Sequence, residues 1–130
     1  MNRYLLDTHI LIWWLYDLPQ LHSTYRKVIE NEENDIIVST ASLWEIEIKR
    51  ALGKLVIDGS YYEAIKQNGF TFLPIFPTHT LALRDLPNIH KDPFDRMLIA
   101  QTICEKLIFI TDDKLIARYP ITILTPLHTA

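Results

Sequence analysis

Short apolar strands separated by helical segments are the feature that most constrains how this chain can fold. Each predicted strand is apolar on both faces, which is typical of a parallel sheet covered by helices on both sides. Parallel strands need long crossover connections, and the intervening segments have the length and spacing of helices. The pattern therefore predicts an α/β fold, a three-layer α/β/α domain with a central, mostly parallel sheet. The predicted strands cover residues 3–6, 35–39, 70–75, 106–111 and 121–124.

The predicted helices have recognisable ends. Asp92 precedes Pro93, so Asp92 fits an N-cap and Pro93 the first helical position. Gly53 and Gly69 fit the ends of two other helices. The predicted helices cover residues 9–16, 21–32, 40–53, 60–68, 79–87 and 93–106, with one or two further turns in 112–119.

Length and composition favour one domain without a membrane span. The 130 residues suffice for one core but not for two ordinary ones, so we predict a single domain over 1–130. Hydrophobic residues make up 48 % and charged residues 22 %, as in soluble globular proteins. No apolar run reaches the ~20 residues of a membrane helix, and no small-residue cleavage site follows the apolar segment at 9–16. We therefore expect a cytoplasmic protein.

The single cysteine, the few glycines and the net charge limit which kinds of site this chain can contain. Cys104 is the single cysteine, so no disulfide forms within the chain, and its apolar neighbours predict a buried thiol. The three glycines form no phosphate-binding loop of the GxGxxG or GxxxxGK[ST] type. A net charge of -3 argues against a broad basic surface for nucleic acid. It does not exclude a nuclease, because metal-binding carboxylates lower the net charge and a bound cation reverses the local sign.

Carboxylates cluster where a parallel sheet binds its ligands. Asp7 ends the first predicted strand, Glu45 lies about one turn into the helix after the second, and Asp112 and Asp113 follow the fourth. Asp95 lies in the first turn of the helix that leads into that fourth strand. Ligands bind beyond the carboxyl ends of parallel strands, so these acids are expected to meet there. Hard oxygen ligands select Mg²⁺ or Mn²⁺, which can activate water against a phosphodiester.

Each of these acids also has a purely structural interpretation. Asp7 can cap the helix that follows it, and Glu45 can form an i,i+4 ion pair with Lys49. One member of the Asp112–Asp113 pair can cap the next helix. The joint placement of the acids after strands, rather than any single acid, favours the metal site.

Four stretches of the chain are distinctive in order and spacing: LLDTHILIWWL (5–15), VSTASLWEIEIKRALGKL (38–55), HKDPFDRMLIAQ (90–101) and ITDD (110–113). Together they resemble the PIN-domain family, and most closely its VapC-type toxins from prokaryotic toxin–antitoxin pairs. The resemblance runs from about residue 3 to residue 124, and its most diagnostic pieces are DPFDRMLIAQ and SLWEIEIK. It implies a metal-dependent endoribonuclease that cuts RNA and is inhibited by a small cognate antitoxin.

The resemblance also implies which residues are catalytic. By motif, three of the family's acids fall on Asp7, Glu45 and Asp95. The fourth family acid, usually in T-x-D, falls on Asp113, although Asp112 is acidic here as well. All four would be catalytic and would bind Mg²⁺ or Mn²⁺. Asp92 is left as a cap.

Members of this family are commonly homodimers, so large aromatic residues can contribute either to the core or to a dimer interface. Three tryptophans look buried and can belong either to the core or to a dimer interface: Trp13, Trp14 and Trp44.

The polar residues next to the acids can each have more than one role. Thr8 and Thr111 can orient a metal-bound water or satisfy strand ends. His9 begins an apolar helix and fits a structural role better than that of a general base. Arg96 can bind a phosphate or neutralise an acid. Five cations flank the acidic segments and can guide an RNA backbone: Lys49, Arg50, Lys54, Lys91 and Arg96.

Two other functions fit the sequence less well. A phosphohydrolase with an aspartyl nucleophile at Asp7 would need a second aspartate two residues later, where His9 stands, and Lys114 is a loose match for its lysine. A non-catalytic binding module, such as a receiver-like domain, needs paired acids after the first strand, and only Asp7 is there. A degenerate nuclease would lack one of the four acids.

Overall fold

One parallel sheet of five strands organises the residues described by this computed structural model, which are 2–124 and 126. The strand order is β3-β2-β1-β4-β5, and every adjacent pair is parallel. The predicted parallel α/β fold is therefore confirmed. Residue 1, residue 125 and residues 127–130 of the predicted domain lie outside the described part. The strands are β1 Arg3–Leu6, β2 Asp35–Ser39, β3 Thr71–Leu73, β4 Ile108–Ile110 and β5 Ile123–Leu124.

Helices connect the strands and cover both faces of the sheet. Short 3-10 turns at Leu83–Asp85 and Ile116–Arg118 supplement the α-helices of the described chain. No helix in residues 2–124 is both long enough and apolar enough to cross a membrane. The α-helices are α1 Thr8–Leu15, α2 Ser23–Glu30, α3 Thr40–Ala51, α4 Tyr61–Gln67, α5 Pro77–Ala82 and α6 Pro93–Glu105.

Two hydrophobic cores lie on opposite faces of the sheet, because successive strand residues point to opposite sides. Leu6 belongs to the core built with α1, α2 and α4. Leu5, its neighbour in β1, belongs to the core built with α6 and the segment after α5. β1 and β2 alternate in step, so the two helix layers sandwich the sheet as predicted.

Two helices begin directly at the carboxyl ends of strands. α1 starts one residue after β1, with Asp7 at the N-cap position in extended backbone. Its carboxylate makes no capping hydrogen bond. Ser39, which ends β2, does cap α3 by accepting a hydrogen bond from the backbone N–H of Ala41. The carboxylate of Asp7 is thus left available at the edge of the sheet.

Several predicted boundaries differ from the structure for local reasons. The fourth strand begins at Ile108 rather than at 106, because Lys106 has φ 55° and ends α6 in the left-handed region. The helix predicted over 79–87 begins earlier, at Pro77, and tightens into a 3-10 turn after Ala82. The last predicted strand is reduced to Ile123–Leu124, and the helical turns after β4 to a 3-10 turn.

Two side chains predicted to be buried are accessible. Trp44 is 59 % exposed, whereas Trp13 and Trp14 are partly buried and pack on the core that contains Leu6. Cys104 is only partly buried, because it follows the exposed Ile103 on the outer side of α6.

Candidate metal site

The carboxyl edge of the sheet brings together acids from separate parts of the chain. Asp7 follows β1, and its backbone N–H donates to the carbonyl of Ile110 at the end of β4, at 3.0 Å. The hydroxyl of Thr111 donates to Oδ2 of Asp7 at 2.7 Å and accepts from the backbone N–H of Asp113 at 3.1 Å. Thr111 therefore links the first acid of the chain to the last.

The carboxyl group of Asp7 is buried and only partly satisfied. Its residue is 3 % exposed, and Oδ1 has no hydrogen-bond partner. Burial raises its pKa to about 6, although the Thr111 hydrogen bond and the charge of His9 act in the opposite direction. An ionised carboxylate in such a place lacks a compensating positive charge.

Glu45 repeats this pattern on α3. It is 2 % exposed, and its Oε2 forms an ion pair with Nζ of Lys49. Its Oε1 is buried without a partner. The predicted i,i+4 ion pair is confirmed, yet it occupies only one of the two carboxylate oxygens.

Asp95 lies in the first turn of α6 and is influenced by the other acids. Its side chain is 15 % exposed. Its pKa is raised to about 7, chiefly by burial and also by the negative charges of Asp7, Asp92 and Glu45, against the influence of His90. The other acids are therefore close enough to disfavour the ionised form of Asp95.

Asp92 has the separate role that was predicted from its position. Its Oδ1 accepts hydrogen bonds from the backbone N–H groups of Phe94 and Asp95, at 2.8 and 3.2 Å. It therefore caps α6 and fixes the turn that carries Asp95.

The structure distinguishes Asp113 from Asp112. Oδ2 of Asp113 lies 3.0 Å from Nε2 of His90, and its Oδ1 accepts from the backbone N–H groups of Leu115 and Ile116. Burial would raise the pKa of Asp113, but these hydrogen bonds outweigh it and lower the pKa. Asp112 is exposed. Asp113 is the member of the pair that reaches the cluster.

His90 is a site residue that the sequence analysis missed. Its Nε2 lies 3.0 Å from Oδ2 of Asp95 and 3.0 Å from Oδ2 of Asp113. It stands two residues before the N-cap residue Asp92, in the stretch HKDPFDR. This position beside the cap is the one sequence feature that could have indicated a role for His90 in the site. A five-residue separation between His90 and Asp95 does not by itself predict a contact, because the contact depends on the path of the loop that enters α6.

The comparison with protein families decides what kind of domain carries this cluster. The PIN domain matches residues 4–121. The chain belongs to the PIN domain family.

Solved structures share the fold of this PIN domain at low sequence identity. VapBC2 from Rickettsia felis, bound to a DNA fragment from its promoter, has a TM-score of 0.68 at 15 % identity, covering 94 % of this chain and 97 % of the other. DNA-bound VapBC from Salmonella typhimurium has a TM-score of 0.68 at 16 % identity, with 95 % and 98 % covered. FitAcB from Neisseria gonorrhoeae has a TM-score of 0.66 at 18 % identity, with 96 % and 99 % covered. The comparison with curated proteins gave no match.

The auxiliary residues of this PIN domain make mainly structural contacts. Thr8 donates its hydroxyl to Oγ of Ser42 at 2.9 Å, and Thr111 donates to Asp7. Arg96 donates to the backbone carbonyls of Pro87 and His90 and to the hydroxyl of Tyr119. Arg96 therefore holds the loop before α6, and its guanidinium has no carboxylate within ion-pair distance among the described residues.

Cations beside the acids differ in how far they are engaged. Lys49 pairs with Glu45, and Arg50 pairs with Glu47. Lys54 forms no ion pair among the described residues, and it lines a recess of about 170 Å³ together with Lys49 and His9. This recess borders the acids, because Thr8 also lines it.

The donor set of this PIN domain fits a divalent cation. Two buried carboxylate oxygens, on Asp7 and Glu45, have no partner, and the charge of Glu45 contributes to the raised pKa of Asp7. Burying an unpaired carboxylate oxygen is costly unless a cation or a proton satisfies it. The donors are all oxygen atoms of carboxylates, the type that Mg²⁺ and Mn²⁺ prefer.

Proposed function

We propose that this PIN domain is a Mg²⁺- or Mn²⁺-dependent endoribonuclease that hydrolyses phosphodiester bonds of RNA. The observation that carries the proposal is the pair of buried, unpartnered oxygens, Oδ1 of Asp7 and Oε1 of Glu45. Membership of the PIN domain family supports a nuclease.

In this proposal Asp7, Glu45 and Asp95 supply the oxygen ligands of the metal, and Asp113 completes the acidic centre. When bound, the cation supplies Lewis-acid chemistry, activating water and neutralising charge on the scissile phosphate. Each ligand is held by a neighbour that uses only one of its oxygens. Thr111 fixes Asp7, and Lys49 fixes Glu45.

The chain's own cations would meet the substrate beside this centre. Lys54 lies in the recess that Thr8 and Lys49 also line, and it forms no ion pair with any described residue. Lys91 is exposed just before α6. Both can contact phosphates of an RNA backbone that passes over the acids, and two local cations suit a chain whose net charge of -3 argues against a broad basic surface.

We further propose that this nuclease is the VapC-type toxin of a toxin–antitoxin pair and acts in the cytoplasm. Two of the similar structures are VapBC complexes. Similarity over nearly the full length of those chains supports a cognate small antitoxin as partner. We also propose a homodimer, as the resemblance to VapC-type toxins implies.

The test is cleavage of total cellular RNA by the purified chain, freed of any antitoxin, with Mg²⁺ and separately with Mn²⁺. Wild type and the Asp112→Asn control should give discrete fragments that a chelator abolishes. Asp7→Asn and Asp95→Asn, checked for folding by circular dichroism, should give none. Cleavage by folded Asp7→Asn at the wild-type rate would reject the proposed function.

A further inference from the structure

The loop before α6 places one imidazole between two acids of the metal site. Nε2 of His90 lies 3.0 Å from Oδ2 of Asp95, in the first turn of α6, and 3.0 Å from Oδ2 of Asp113, in the segment after β4. Nothing in the proposed set of metal ligands accounts for this side chain. It is the one described group besides Thr111 that joins two of the proposed acids.

The other ring nitrogen determines what His90 can do. Nδ1 accepts a hydrogen bond from the backbone N–H of Asp92 at 3.1 Å, so Nδ1 carries no proton. A neutral imidazole has one N–H, which must then be on Nε2. Nε2 is therefore a donor, and its hydrogen bond goes to Oδ2 of Asp113, while Oδ2 of Asp95 lies at the same distance of 3.0 Å in a close polar contact. For Nε2 to bind a metal instead, the proton would have to move to Nδ1, where it would face the N–H of Asp92.

The backbone of His90 is held independently of the acids. Its N–H donates to the hydroxyl of the buried Tyr119 at 2.8 Å, and its carbonyl accepts from Arg96 at 3.4 Å. Arg96 also donates to the hydroxyl of Tyr119 at 3.3 Å. The imidazole is thus oriented by hydrogen bonds other than its contacts with the two acids.

The two acids differ in how many of their carboxylate oxygens are occupied. Oδ1 of Asp113 is occupied by the N–H groups of Leu115 and Ile116, and its Oδ2 by His90. Oδ2 of Asp95 lies 3.0 Å from the same nitrogen without a hydrogen bond of its own, and its Oδ1 forms none with a described residue. Asp113 is accordingly anchored on both oxygens, whereas Asp95 contacts the imidazole through Oδ2 and keeps Oδ1 for a cation.

We propose that His90 is a positioning residue of the metal site, whose Nε2–H, bonded to the anchored Asp113, attracts Oδ2 of the neighbouring Asp95 and so sets the orientation of the other oxygen of Asp95. The inference rests on the proposed function. Groups that orient metal ligands in this way typically alter metal affinity by about 10- to 100-fold when removed.

Two substitutions of His90 test the roles of its two ring nitrogens separately. His90→Asn keeps an acceptor near the place of Nδ1 for the N–H of Asp92 but is too short to donate to the acids. His90→Gln places an amide N–H near the position of Nε2. The measurement is the affinity for Mn²⁺ by titration calorimetry, with the unfolding midpoint of each metal-free variant as the folding control.

We expect His90→Asn to weaken Mn²⁺ binding by about 10- to 100-fold and His90→Gln to stay within about 3-fold of wild type. Wild-type affinity in His90→Asn would overturn the inference. So would equal weakening in both variants together with loss of the Nε2 proton in ¹⁵N spectra of the Mg²⁺-loaded wild type, because His90 would then be a ligand.

Failure of this inference is distinguishable from failure of the proposed function. If wild type binds Mn²⁺ and cleaves RNA while His90→Asn does both equally well, only the role of His90 is rejected. If wild type binds no Mn²⁺, the proposed function is rejected and the positioning role with it.

Discussion

Asp7 illustrates how a single side chain can be unfavourable for folding and useful for binding. Its carboxyl group is buried, with one oxygen bonded to Thr111 and the other unpartnered. The pKa of Asp7 is raised from 3.8 to about 6 and that of Asp95 from 3.8 to about 7, in both cases chiefly by burial. The metal-free fold therefore prefers the protonated acids, which the unfolded chain does not.

This preference predicts how stability depends on pH. The stabilisation from protonated Asp7 and Asp95 is fully present below about pH 4 and is lost as pH rises through about 6 and 7. For the metal-free protein we expect the free energy of unfolding to fall across this range by roughly 3 kcal/mol from Asp7 alone, whose pKa shift is about 2 units, with a further fall from Asp95 in the same direction. Urea unfolding at pH 5 and pH 8 measures it.

Asp7→Asn is the matched variant for that measurement. It should flatten the decline and be more stable than wild type at pH 8 without metal. Excess Mn²⁺ should raise the stability of wild type but not that of Asp7→Asn. Parallel pH profiles for the two proteins would show that the Asp7 carboxyl is not the source of the pH dependence of stability.

The adjacent acids after β4 allow a second test at the same scale. Asp113 bonds to His90 and to two backbone N–H groups, whereas Asp112 is exposed. We expect Asp113→Asn to lower the cleavage rate by at least about 10-fold and Asp112→Asn to leave it within about 2-fold, as for a group that orients a metal site. Rates on one RNA substrate with Mg²⁺ decide this, and a larger loss in Asp112→Asn would reverse the assignment.

Individual residues also show what sequence can and cannot reveal about the site. Glu45 was assigned both as a metal ligand and as the partner of Lys49, and the structure accommodates both because a carboxylate has two oxygens. His90 was missed because its role depends on the path of an irregular loop, which no periodicity describes. Whether the four acids bind metal stays a prediction.

At the level of elements, α6 depends on its first turn. Asp92 caps it through two hydrogen bonds, and its charge contributes to the raised pKa of Asp95. We expect Asp92→Ala to lower the free energy of unfolding by about 1 kcal/mol and Asp92→Ser, which keeps a cap, to lower it much less. Denaturant unfolding of the three proteins measures this. Equal losses would mean that the charge, not the cap, is what stabilises α6.

The elements were predictable in kind and order but not in their ends. All five strands and the main helices follow from apolar runs and helical spacing, which reflect burial on each face. The start of β4 does not, because Lys106 takes a left-handed conformation that favours glycine and asparagine. Similarly, the tightening after Ala82 depends on packing of that segment on the core that contains Leu5.

For the whole molecule, the exposed Trp44 raises the question of assembly. It is 59 % exposed and contacts Phe94 edge to face, at 5.0 Å between ring centroids, joining α3 to α6. A large exposed aromatic beside other apolar groups is typical of an interface. We expect light scattering to give twice the chain mass for wild type and a shift towards the monomer for Trp44→Ala.

Phe76 supplies the control for that experiment. It is also an exposed aromatic, but it lies at the start of α5, away from α3. Phe76→Ala should keep the mass of wild type. A monomeric wild type, or a dimer that survives in Trp44→Ala, would remove Trp44 from the interface.

The hydrogen bond between Thr111 and Asp7 has a consequence for the synthesis of the protein. Its two residues are 104 positions apart, and β4, which precedes Thr111, pairs directly with β1. A ribosome must therefore translate more than a hundred codons beyond Asp7 before the partner of that carboxylate exists. The nascent chain cannot assemble its acidic cluster during that time. Under the proposed function, its own messenger is therefore read almost to the end before the chain can cut RNA.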